Sequence, residues 1–571
     1  MKASDAVAIF LARHQVRYCF ELIGGMITHL VDSLATQGQV EIISMHHEQA
    51  AAFAAEGVSR SMQGSGLGVA MGTSGPGATN LITGIGSCWF DSVPCLFITG
   101  QVNTNELKGA CPVRQQGFQE LNIVALVGSI TKFAAQVTNE EELLPLLHRA
   151  LSVALSGRRG PVLLDIPNNI QRMEIPDDVV TKWLDVPLLC EEPPAPTALE
   201  LDRLAALCAQ AARPLVVFGG GAKESARMDA WRADLERLGI PYVSTLMGQE
   251  RIPSEPHYFH MIGSYGNREA NWAIQHCDLL IVLGARLDIR QTGADMADFA
   301  RQARIVQVDI DPGQIDNRIK VALPICASID AFYRVFPLRA NTFTNMDPGW
   351  FDQLERVRQD AARDEYPDWE ISPYRLMETL NSAMSGKKAN YVCDVGNHQM
   401  WAAQSLRLGL GQTIHHSGGM GAMGFALPAA IGMALATDNK TIVIAGDGGI
   451  QVNIQEIDTV RRLNLDVAIL VLNNRSLGMV KNFQDMYFDG RDQSTRRGYS
   501  APPFVEIALA YGIQAERVTN LKDARKAMAR MASHRGPLLI EVVMEGATEC
   551  RPRLAFGSKL DEQYPRSDII T

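Results

Sequence analysis

Two short motifs place oxygen donors where strands of a parallel sheet would end. One apolar run leads into GDGG at 446–449, a second leads into NN at 473–474, and a helix-like segment lies between them. This order predicts a βαβ unit, and ligands bind at the carboxyl ends of its strands. Asp447 offers a carboxylate and Asn474 a side-chain carbonyl, the hard oxygen donors that Mg²⁺ takes beside phosphate oxygens. Together they predict a magnesium–diphosphate site, although each motif alone also fits a tight turn with a capping asparagine.

Length and composition limit the classes of protein. A chain of 571 residues, 46% of them hydrophobic, supports about three domains with large buried cores. The formal charge of −10 argues against nucleic acid or an anionic membrane as a main partner. Ten cysteines without a CxxC pair or a Cys/His cluster predict free thiols in a reducing compartment. Because no secretory segment and no apolar stretch of transmembrane length is found, we expect a cytoplasmic protein without membrane partners.

The chain is predicted to form three α/β domains followed by a tail. Residues 1–175, 197–340 and 371–550 each alternate short apolar runs, glycine turns and helix-like segments. Such alternation predicts doubly wound parallel sheets, so the expected fold class is α/β with three such domains. Residues 176–196 cluster prolines and acidic side chains and predict a linker, and residues 551–571 predict a C-terminal tail.

The middle domain contains a second candidate binding turn. An apolar run at 214–218 is followed by three glycines at 219–221 and then by a helix-like segment. This is the order of a dinucleotide-binding turn, in which a helix N-terminus receives the phosphates. The spacing differs from G-x-G-x-x-G, so the turn alone does not identify its ligand.

The spacing of GDG and NN resembles the cofactor motif of thiamine diphosphate enzymes, and the chain more narrowly resembles the acetolactate (acetohydroxyacid) synthase large-subunit family. Further segments resemble that family in the same order: HHEQAAAFAAEGVSR from residue 46, GTSGPGATN from residue 72 and SGGMGAMGF from residue 417. The resemblance implies a pyrimidine-binding domain, a central FAD-type domain and a diphosphate-binding domain. It also implies thiamine diphosphate, Mg²⁺ and FAD as cofactors.

The resemblance assigns metal binding and acid–base chemistry to particular residues. It implies that Asp447, Asn474 and the backbone carbonyl of Ser476 ligate the metal. Glu48 would hydrogen-bond N1′ of the aminopyrimidine and thereby promote loss of the proton at C2 of the thiazolium. Taken without the resemblance, Glu48 also fits a helix N-terminal carboxylate that the helix dipole favours.

Further site residues follow from the same resemblance. Gly25 would face the reacting carbon, and Phe118 and Gln119 would line the substrate channel. The Gly421 carbonyl would contact N4′, and Met423 would be the apolar wedge that bends the cofactor, although an isolated methionine is more often core filler. The other residues implied to hold thiamine diphosphate are Pro76, Asn80, Val395, Gly396, Asn397, His398, Gly446, Gly448 and Gly449.

The middle domain resembles the FAD-binding part of the same synthases. The residues implied to contact the flavin nucleotide are Gly219, Gly220, Gly221, Thr245, Leu246, Met247, Arg286, Asp288, Arg290, Asp309 and Ile310. The chain departs from the family where GMHG is replaced by GSYG at 263–266 and RFDD by RLDI at 286–289. The alternative is a vestigial domain that has lost its ligand.

The resemblance predicts a reaction and leaves its acceptor open. It implies that a 2-oxo acid, most simply pyruvate, is decarboxylated and that its acyl unit passes to an acceptor carbonyl, in a homodimer or homotetramer. Phe483 stands where the biosynthetic synthases carry a tryptophan that favours 2-oxobutyrate, and ELIGGMIT at 21–28 resembles flavin-containing relatives that act on keto-sugar nucleotides. The alternatives are therefore a branched-sugar carboligase and, in another class, a non-catalytic FAD-binding homologue.

Overall fold

The computed structural model describes residues 1–61, 66–362 and 369–566. Within these residues, eighteen strands form three parallel sheets of six strands each, one after another along the chain. The predicted α/β class with three parallel-sheet domains is confirmed. The last five residues of the predicted tail, 567–571, lie outside the described residues.

The inner strands of each sheet are buried on both faces, as expected for parallel sheets covered by helices on each side. The first sheet contains β1 (Tyr18–Leu22), β2 (Glu41–Ser44), β3 (Gly68–Gly72), β4 (Cys95–Gln101), β5 (Phe133–Gln136) and β6 (Val162–Pro167). The second contains β7 (Pro214–Phe218), β8 (Tyr242–Ser244), β9 (Tyr258–Met261), β10 (Leu279–Leu283), β11 (Arg304–Asp309) and β12 (Leu323–Cys326). The third contains β13 (Ala389–Cys393), β14 (Gln412–His416), β15 (Lys440–Gly446), β16 (Val467–Asn473), β17 (Gln514–Val518) and β18 (Leu538–Val543).

The helices cover these sheets. Those around the first sheet are α1 (Ala3–Arg13), α2 (Thr28–Gln37), α3 (Glu48–Ser61), α4 (Pro76–Asn80), α5 (Ile82–Asp91), α6 (Ile123–Val127), α7 (Glu140–Leu155), α8 (Asn168–Gln171) and α9 (Asp177–Asp185). Next come α10 (Ala198–Gln210), α11 (Met228–Leu238), α12 (Arg268–His276), α13 (Ile289–Thr292), α14 (Ile329–Val335) and α15 (Trp350–Ala361). The last are α16 (Pro373–Ala383), α17 (Asn397–Ser405), α18 (Ala426–Ala436), α19 (Asp447–Val452), α20 (Ile457–Arg462), α21 (Gly478–Tyr487), α22 (Phe504–Ala510) and α23 (Leu521–Ser533).

Part of the segment predicted to be a linker is helical. Helix α9 lies inside residues 176–196, with two aspartates in its first turn where the helix dipole favours negative charge. Its Val180 is buried in the core of the first domain. The prolines and acidic residues therefore mark a helix start here before the chain leaves the domain.

The order of strands locates the candidate clefts. The first sheet runs β2-β1-β3-β4-β6-β5 and the third β14-β13-β15-β16-β18-β17, which is the same pattern. The middle sheet runs β12-β11-β10-β7-β8-β9, the strand order of dinucleotide-binding folds. In open α/β sheets a ligand crevice lies where the order reverses. In the three sheets the order reverses between β1 and β3, between β7 and β10, and between β13 and β15.

The first and third domains share one hydrophobic core through α3 and α18. Small residues let the two helices touch: a Cβ on Gly57 would lie 2.1 Å from the Ala429 carbonyl oxygen, and one on Gly432 would lie 1.9 Å from that of Ala54. The core they join contains the inner faces of both sheets. The two flanking domains are therefore fixed to each other, and the carboxyl edges of their sheets keep a fixed relation.

Candidate active site

Asp447 is a buried carboxylate at the carboxyl edge of the third sheet. It begins α19 directly after β15. Burial raises its pKa to about 6, because the charged form loses its hydration. Tyr499 Oη donates a hydrogen bond of 3.1 Å to Asp447 Oδ2, and no Lys or Arg of the described residues pairs with the carboxylate. A bound cation would supply the missing positive charge, so this environment fits a metal ligand.

Asn474 follows β16, the neighbouring strand, and its amide is fixed in one orientation. Its Nδ2 donates to the Ala547 carbonyl oxygen at 2.8 Å, and its Oδ1 accepts from the Ser476 N–H at 3.2 Å. The Ser476 carbonyl accepts from the Gly478 N–H at 2.8 Å and has a second lone pair. No cluster of three or more His, Cys, Asp or Glu able to hold a metal occurs in the described residues. Of the metal ligands that the family resemblance implies, Asp447 alone belongs to these residue types. The remaining ligands are amide, backbone and phosphate oxygens, as suits Mg²⁺.

Buried polar atoms without a partner lie at the adjacent strand end, after β13. They are His398 Nε2, Gln399 Nε2 and Asn397 Oδ1. A Cβ on Gly446 would lie 2.8 Å from His398 Nδ1, so the imidazole packs directly against the GDGG turn. Burial lowers the pKa of His398 to about 3, which keeps the ring neutral. Unsatisfied buried polar groups are costly, and diphosphate oxygens would satisfy the donors among them.

The loop that carries Gly421 and Met423 is tied to this edge by a carboxylate that sequence reasoning missed. Asp394, the residue after β13, accepts hydrogen bonds from the Val395 N–H at 2.8 Å and from the N–H groups of Gly424 and Ala426 at 3.0 Å each. Burial raises the pKa of Asp394 to about 6. The aspartate lies at the start of a segment already recognised, but its two partners in the loop are 30 and 32 residues away.

Met423 lies against the GDGG turn. A Cβ on Gly448 would lie 3.3 Å from Met423 Cε and 3.3 Å from Tyr499 Oη. The Met423 side chain is 36% exposed, so it is not core filler. The apolar wedge, the metal-binding candidates and Tyr499 therefore meet at one place.

Glu48 and the GPGATN turn meet at the carboxyl edge of the first sheet. Glu48 begins α3 after β2, is buried, and accepts a hydrogen bond of 2.9 Å from Asn80 Nδ2. A Cβ on Gly77 would lie 3.2 Å from Glu48 Oε1. Gly75 adopts a positive φ, and a Cβ there would lie 3.0 Å from that of Gln119. Pro76 starts α4, whose last residue is Asn80.

The predicted channel residues of the first domain lie beside that turn. Met26 N–H donates to Thr73 Oγ1 at 3.2 Å, which joins the loop containing Gly25 to the GPGATN turn. Phe118 is 79% exposed, although it is a large apolar side chain. Its neighbour Gln119 packs against the turn that contacts Glu48, so the exposed phenylalanine marks a surface that a ligand or another chain would cover.

The Glu48 group and the Asp447 group are linked within one chain through residues beside them, since Asn453 Nδ2 donates to Gln49 Oε1 at 3.1 Å. In the part of the chain that is described, no hydrogen bond or ion pair connects Glu48 with Asp447 or Asn474. Phe483 lies on α21 with its ring centroid 4.7 Å from that of Tyr487. It is half exposed, and the tail reaches this cluster through the Phe556 N–H, which donates to Tyr487 Oη at 3.1 Å.

A groove of about 450 Å³ lies at the β7/β10 crevice of the middle sheet. The predicted flavin residues that line it are Gly220, Gly221, Thr245, Met247, Arg286, Asp309 and Ile310. Its position at the reversal of a dinucleotide-binding strand order and its glycine turn both fit a dinucleotide. The cationic side chains in its wall belong to Lys223, Arg158, Arg159 and Arg286.

Four predicted flavin residues lie elsewhere. Gly219 serves close packing, because a Cβ there would lie 2.2 Å from the Gly284 carbonyl oxygen. Leu246 packs against the core of the third domain. Asp288 caps α13 and pairs with Arg286 at 3.2 Å, and Arg290 gives its N–H to that cap.

Sequence reasoning missed the contribution of the first domain to the groove. Arg158 bridges the domains, with Nε 2.9 Å from Ser92 Oγ and Nη1 2.9 Å from Asp311 Oδ2. Asp91 also lines the groove. These residues carry no recognisable turn motif, so only the fold reveals their placement.

Comparison with known proteins gives matches along almost the whole chain. Three family models match: the thiamine pyrophosphate enzyme N-terminal TPP binding domain at residues 1–126, the central domain at 201–335 and the C-terminal TPP binding domain at 394–542. Among the helices of the described residues, none has the length and apolar character needed to cross a bilayer.

Several curated relatives are similar over most of their lengths. The acetolactate synthase isozyme 2 large subunit of Escherichia coli is 34% identical, with 99% of this chain and 100% of the relative aligned. A probable acetolactate synthase large subunit of Methanocaldococcus jannaschii is 33% identical over 98% of this chain and 94% of the relative. The chloroplastic acetolactate synthase of Arabidopsis thaliana is 34% identical over 99% of this chain and 85% of the relative.

Proposed function

The chain belongs to the acetolactate synthase large-subunit family of thiamine pyrophosphate enzymes, and from this we propose that it decarboxylates pyruvate and transfers the acyl unit to an acceptor carbonyl. The observation that carries the proposal is the meeting of Asp447, Met423 and Tyr499 at one sheet edge, one strand from Asn474. In a homologue that had lost its cofactor, a buried carboxylate without a positive partner at this place would only destabilise the fold.

The protein supplies proton transfer and an apolar enclosure. When bound, thiamine diphosphate provides the electron sink for the charge that loss of CO₂ leaves on the acyl carbon. Glu48, oriented by Asn80, is the side chain placed to move a proton at the aminopyrimidine. Met423 and Phe118 present exposed apolar side chains, and an apolar surround favours loss of a charged carboxylate.

Mg²⁺ would be held by Asp447, Asn474 and the Ser476 carbonyl, with diphosphate oxygens completing its coordination. The raised pKa of Asp447 and the unpartnered donors of His398 and Gln399 support this assignment, since each is relieved by a bound cation or anion. The groove at β7/β10 supports FAD as the third cofactor, with Gly220 and Gly221 at the nucleotide phosphates.

A homodimer is the smallest active unit that we propose. Glu48 and Asp447 belong to separate groups within one chain, and each group is bordered by exposed apolar side chains: Phe118 on one, Met423 on the other. A second copy would cover these side chains and bring the Glu48 group of one chain to the Asp447 group of the other. Tetramers built from such dimers remain compatible with this arrangement.

Product analysis tests the proposal. Purified protein with thiamine diphosphate, Mg²⁺ and FAD is incubated with pyruvate alone and with added 2-oxobutyrate or a keto-sugar nucleotide, and the products are separated and identified. We expect acetolactate from pyruvate alone. If neither acetolactate nor acetaldehyde forms, the donor is another 2-oxo acid. If C2 of bound thiamine diphosphate also exchanges its proton no faster than free cofactor, the chain is a non-catalytic homologue.

A further inference from the structure

A single carboxylate of the first domain holds the loop that carries Gly421 and Met423. Asp91, the last residue of α5, accepts a hydrogen bond of 2.7 Å from the Gly419 N–H at Oδ1 and one of 3.1 Å from the Gly418 N–H at Oδ2. These glycines directly follow β14 and Ser417. The loop is thus bound at its base by a residue 327 positions away in the chain.

Asp91 is itself held in one orientation. Arg60 Nη2 donates to Asp91 Oδ2 at 2.7 Å and to Glu56 Oε1 at 2.6 Å, and the side chains of Arg60 and Asp91 are each 1% exposed. Arg60 Nη1 lies 4.0 Å from Glu250 Oε2 of the middle domain. Hydrogen bonds between charged groups that are excluded from water are geometrically strict, so the acceptor oxygens of Asp91 have little freedom.

The loop can reach Asp91 only because its base is glycine. A Cβ on Gly419 would lie 2.5 Å from Phe90 Cβ and 3.0 Å from Asp91 Oδ1, and one on Gly418 would lie 2.3 Å from Met247 Sδ. Beyond the glycines, the Ala422 N–H donates to Ser417 Oγ at 3.3 Å and closes the turn. Asp91 thus holds the start of the turn, Asp394 holds its far end at the Gly424 and Ala426 N–H groups, and the tip with Gly421 and Met423 lies between these two anchors.

We propose that Asp91 is a positioning residue for the reaction, which sets the place of the Gly421 carbonyl and of Met423 relative to the bound cofactor. This inference rests on the proposed function. Asp447 and Asn474 follow β15 and β16, and Asp91 contacts neither of them in the described residues. Asp91 therefore governs how the cofactor is bent and deprotonated, and it does not govern how tightly the diphosphate and metal are held.

Asp91→Asn is the informative substitution. The amide is the same size, but its NH₂ must face at least one of the three N–H donors, so at least one hydrogen bond is lost and the base of the loop is held less tightly. Misplacing reacting groups by about 1 Å can cost roughly 10²-fold in rate. We expect both kcat and the rate of C2 proton exchange to fall by about that factor, while KM for pyruvate and the affinities for thiamine diphosphate and Mg²⁺ stay at wild-type values.

Two further variants separate positioning from general damage. Gly419→Ala disturbs the same contact from the loop side. Like Asp91→Asn, it should lower kcat and leave the cofactor affinities at wild-type values. Asp466→Asn is the matched control, because Asp466 accepts from Lys440 Nζ and Arg535 Nη1 next to the amino end of β16, far from the loop. Asp466→Asn should exchange the C2 proton of bound thiamine diphosphate at the wild-type rate. The near-ultraviolet circular dichroism of the bound aminopyrimidine should change only in Asp91→Asn and Gly419→Ala.

Several outcomes would overturn the inference. One is wild-type C2 exchange in folded Asp91→Asn. Another is loss of thiamine diphosphate affinity in proportion to activity, which would assign Asp91 a general structural role. Because Asp91 also lines the groove, assays are run with saturating FAD, and activity that returns with added FAD would show that Asp91 acts through the flavin. A wild-type protein without any carboligase activity but with rapid C2 exchange would refute the proposed donor and leave this inference testable by exchange alone.

Discussion

The Tyr499 phenol donates a 3.1 Å hydrogen bond to Asp447 Oδ2 from 52 positions downstream. The carboxylate proposed to bind the metal is thereby oriented by a side chain outside both cofactor motifs. Groups that orient a metal ligand are typically worth about 10–100-fold in metal affinity or activity. Tyr499→Phe should therefore raise the Mg²⁺ concentration needed for thiamine diphosphate binding by that factor, measured by quenching of protein fluorescence. Tyr511→Phe is the control, and equal Mg²⁺ requirements in the two variants would remove Tyr499 from this role.

Glu48→Gln tests the proton-transfer assignment. The amide keeps a hydrogen bond and the size of the side chain, but it relays a proton poorly. Proton exchange at C2 of bound thiamine diphosphate, followed by NMR, should slow by about 10²–10⁴-fold, the range of general acid–base catalysis. Cofactor binding should persist. Glu41→Gln, at the exposed start of β2, serves as control, and near wild-type exchange in Glu48→Gln would contradict the assignment.

Flavin binding can be tested with two glycines that share a backbone conformation. Gly284 has φ +60°, and a Cβ there would lie 2.7 Å from Gly221 Cα in the turn at the groove. Gly386 has φ +70° and open space around it. Alanine at either position strains the left-handed backbone by about 1–2 kcal/mol, so the two substitutions differ mainly in the clash. Purified protein should be yellow, Gly284→Ala should lose the flavin absorbance, and Gly386→Ala should keep it. A colourless wild type that added FAD does not stimulate would mean that the groove is vestigial.

Substitution of Phe483 tests which acceptor the enzyme uses. The half-exposed Phe483 ring packs with Tyr487 at the end of α21 and with Phe488 just after it, so a larger ring would extend into the adjoining space. Pocket shape changes discrimination by about 10–200-fold, which alters preference without excluding pyruvate. Phe483→Trp should shift products toward those from 2-oxobutyrate if a second 2-oxo acid is the natural acceptor. With a keto-sugar acceptor, the same change should block transfer and leave pyruvate decarboxylation intact. Unchanged product ratios with every acceptor would place the acceptor site elsewhere.

Local patterns in the sequence predicted the elements that carry the cofactor motifs. The apolar runs before GDGG and NN became β15 and β16, which pair in parallel from Thr441 with Val467 to Gly446 with Leu472. Runs of this kind are decisive because a parallel strand is buried on both faces. The predicted domain boundaries and individual site roles stay predictions.

The residues that sequence reasoning missed act across long separations. Asp91 binds a loop in another domain, Tyr499 reaches back to Asp447, and Arg158 crosses to Asp311. None of them belongs to a turn or a periodic pattern, because their partners become neighbours only after the sheets have packed. Polar residues in segments without a motif gave no local signal of these contacts.

The core shared by α3 and α18 has a consequence for how the chain is made. Helix α3 leaves the ribosome long before α18 is synthesised, so the alanine-rich face around Ala54 and Gly57 has no cover when the first domain emerges. At about 5–20 residues per second, this interval lasts tens of seconds. During that time the nascent first domain exposes an apolar face to solvent and to chaperones. The middle domain, whose clusters are separate, can meanwhile form most of its own core, and Leu560 of the tail joins one of these clusters later.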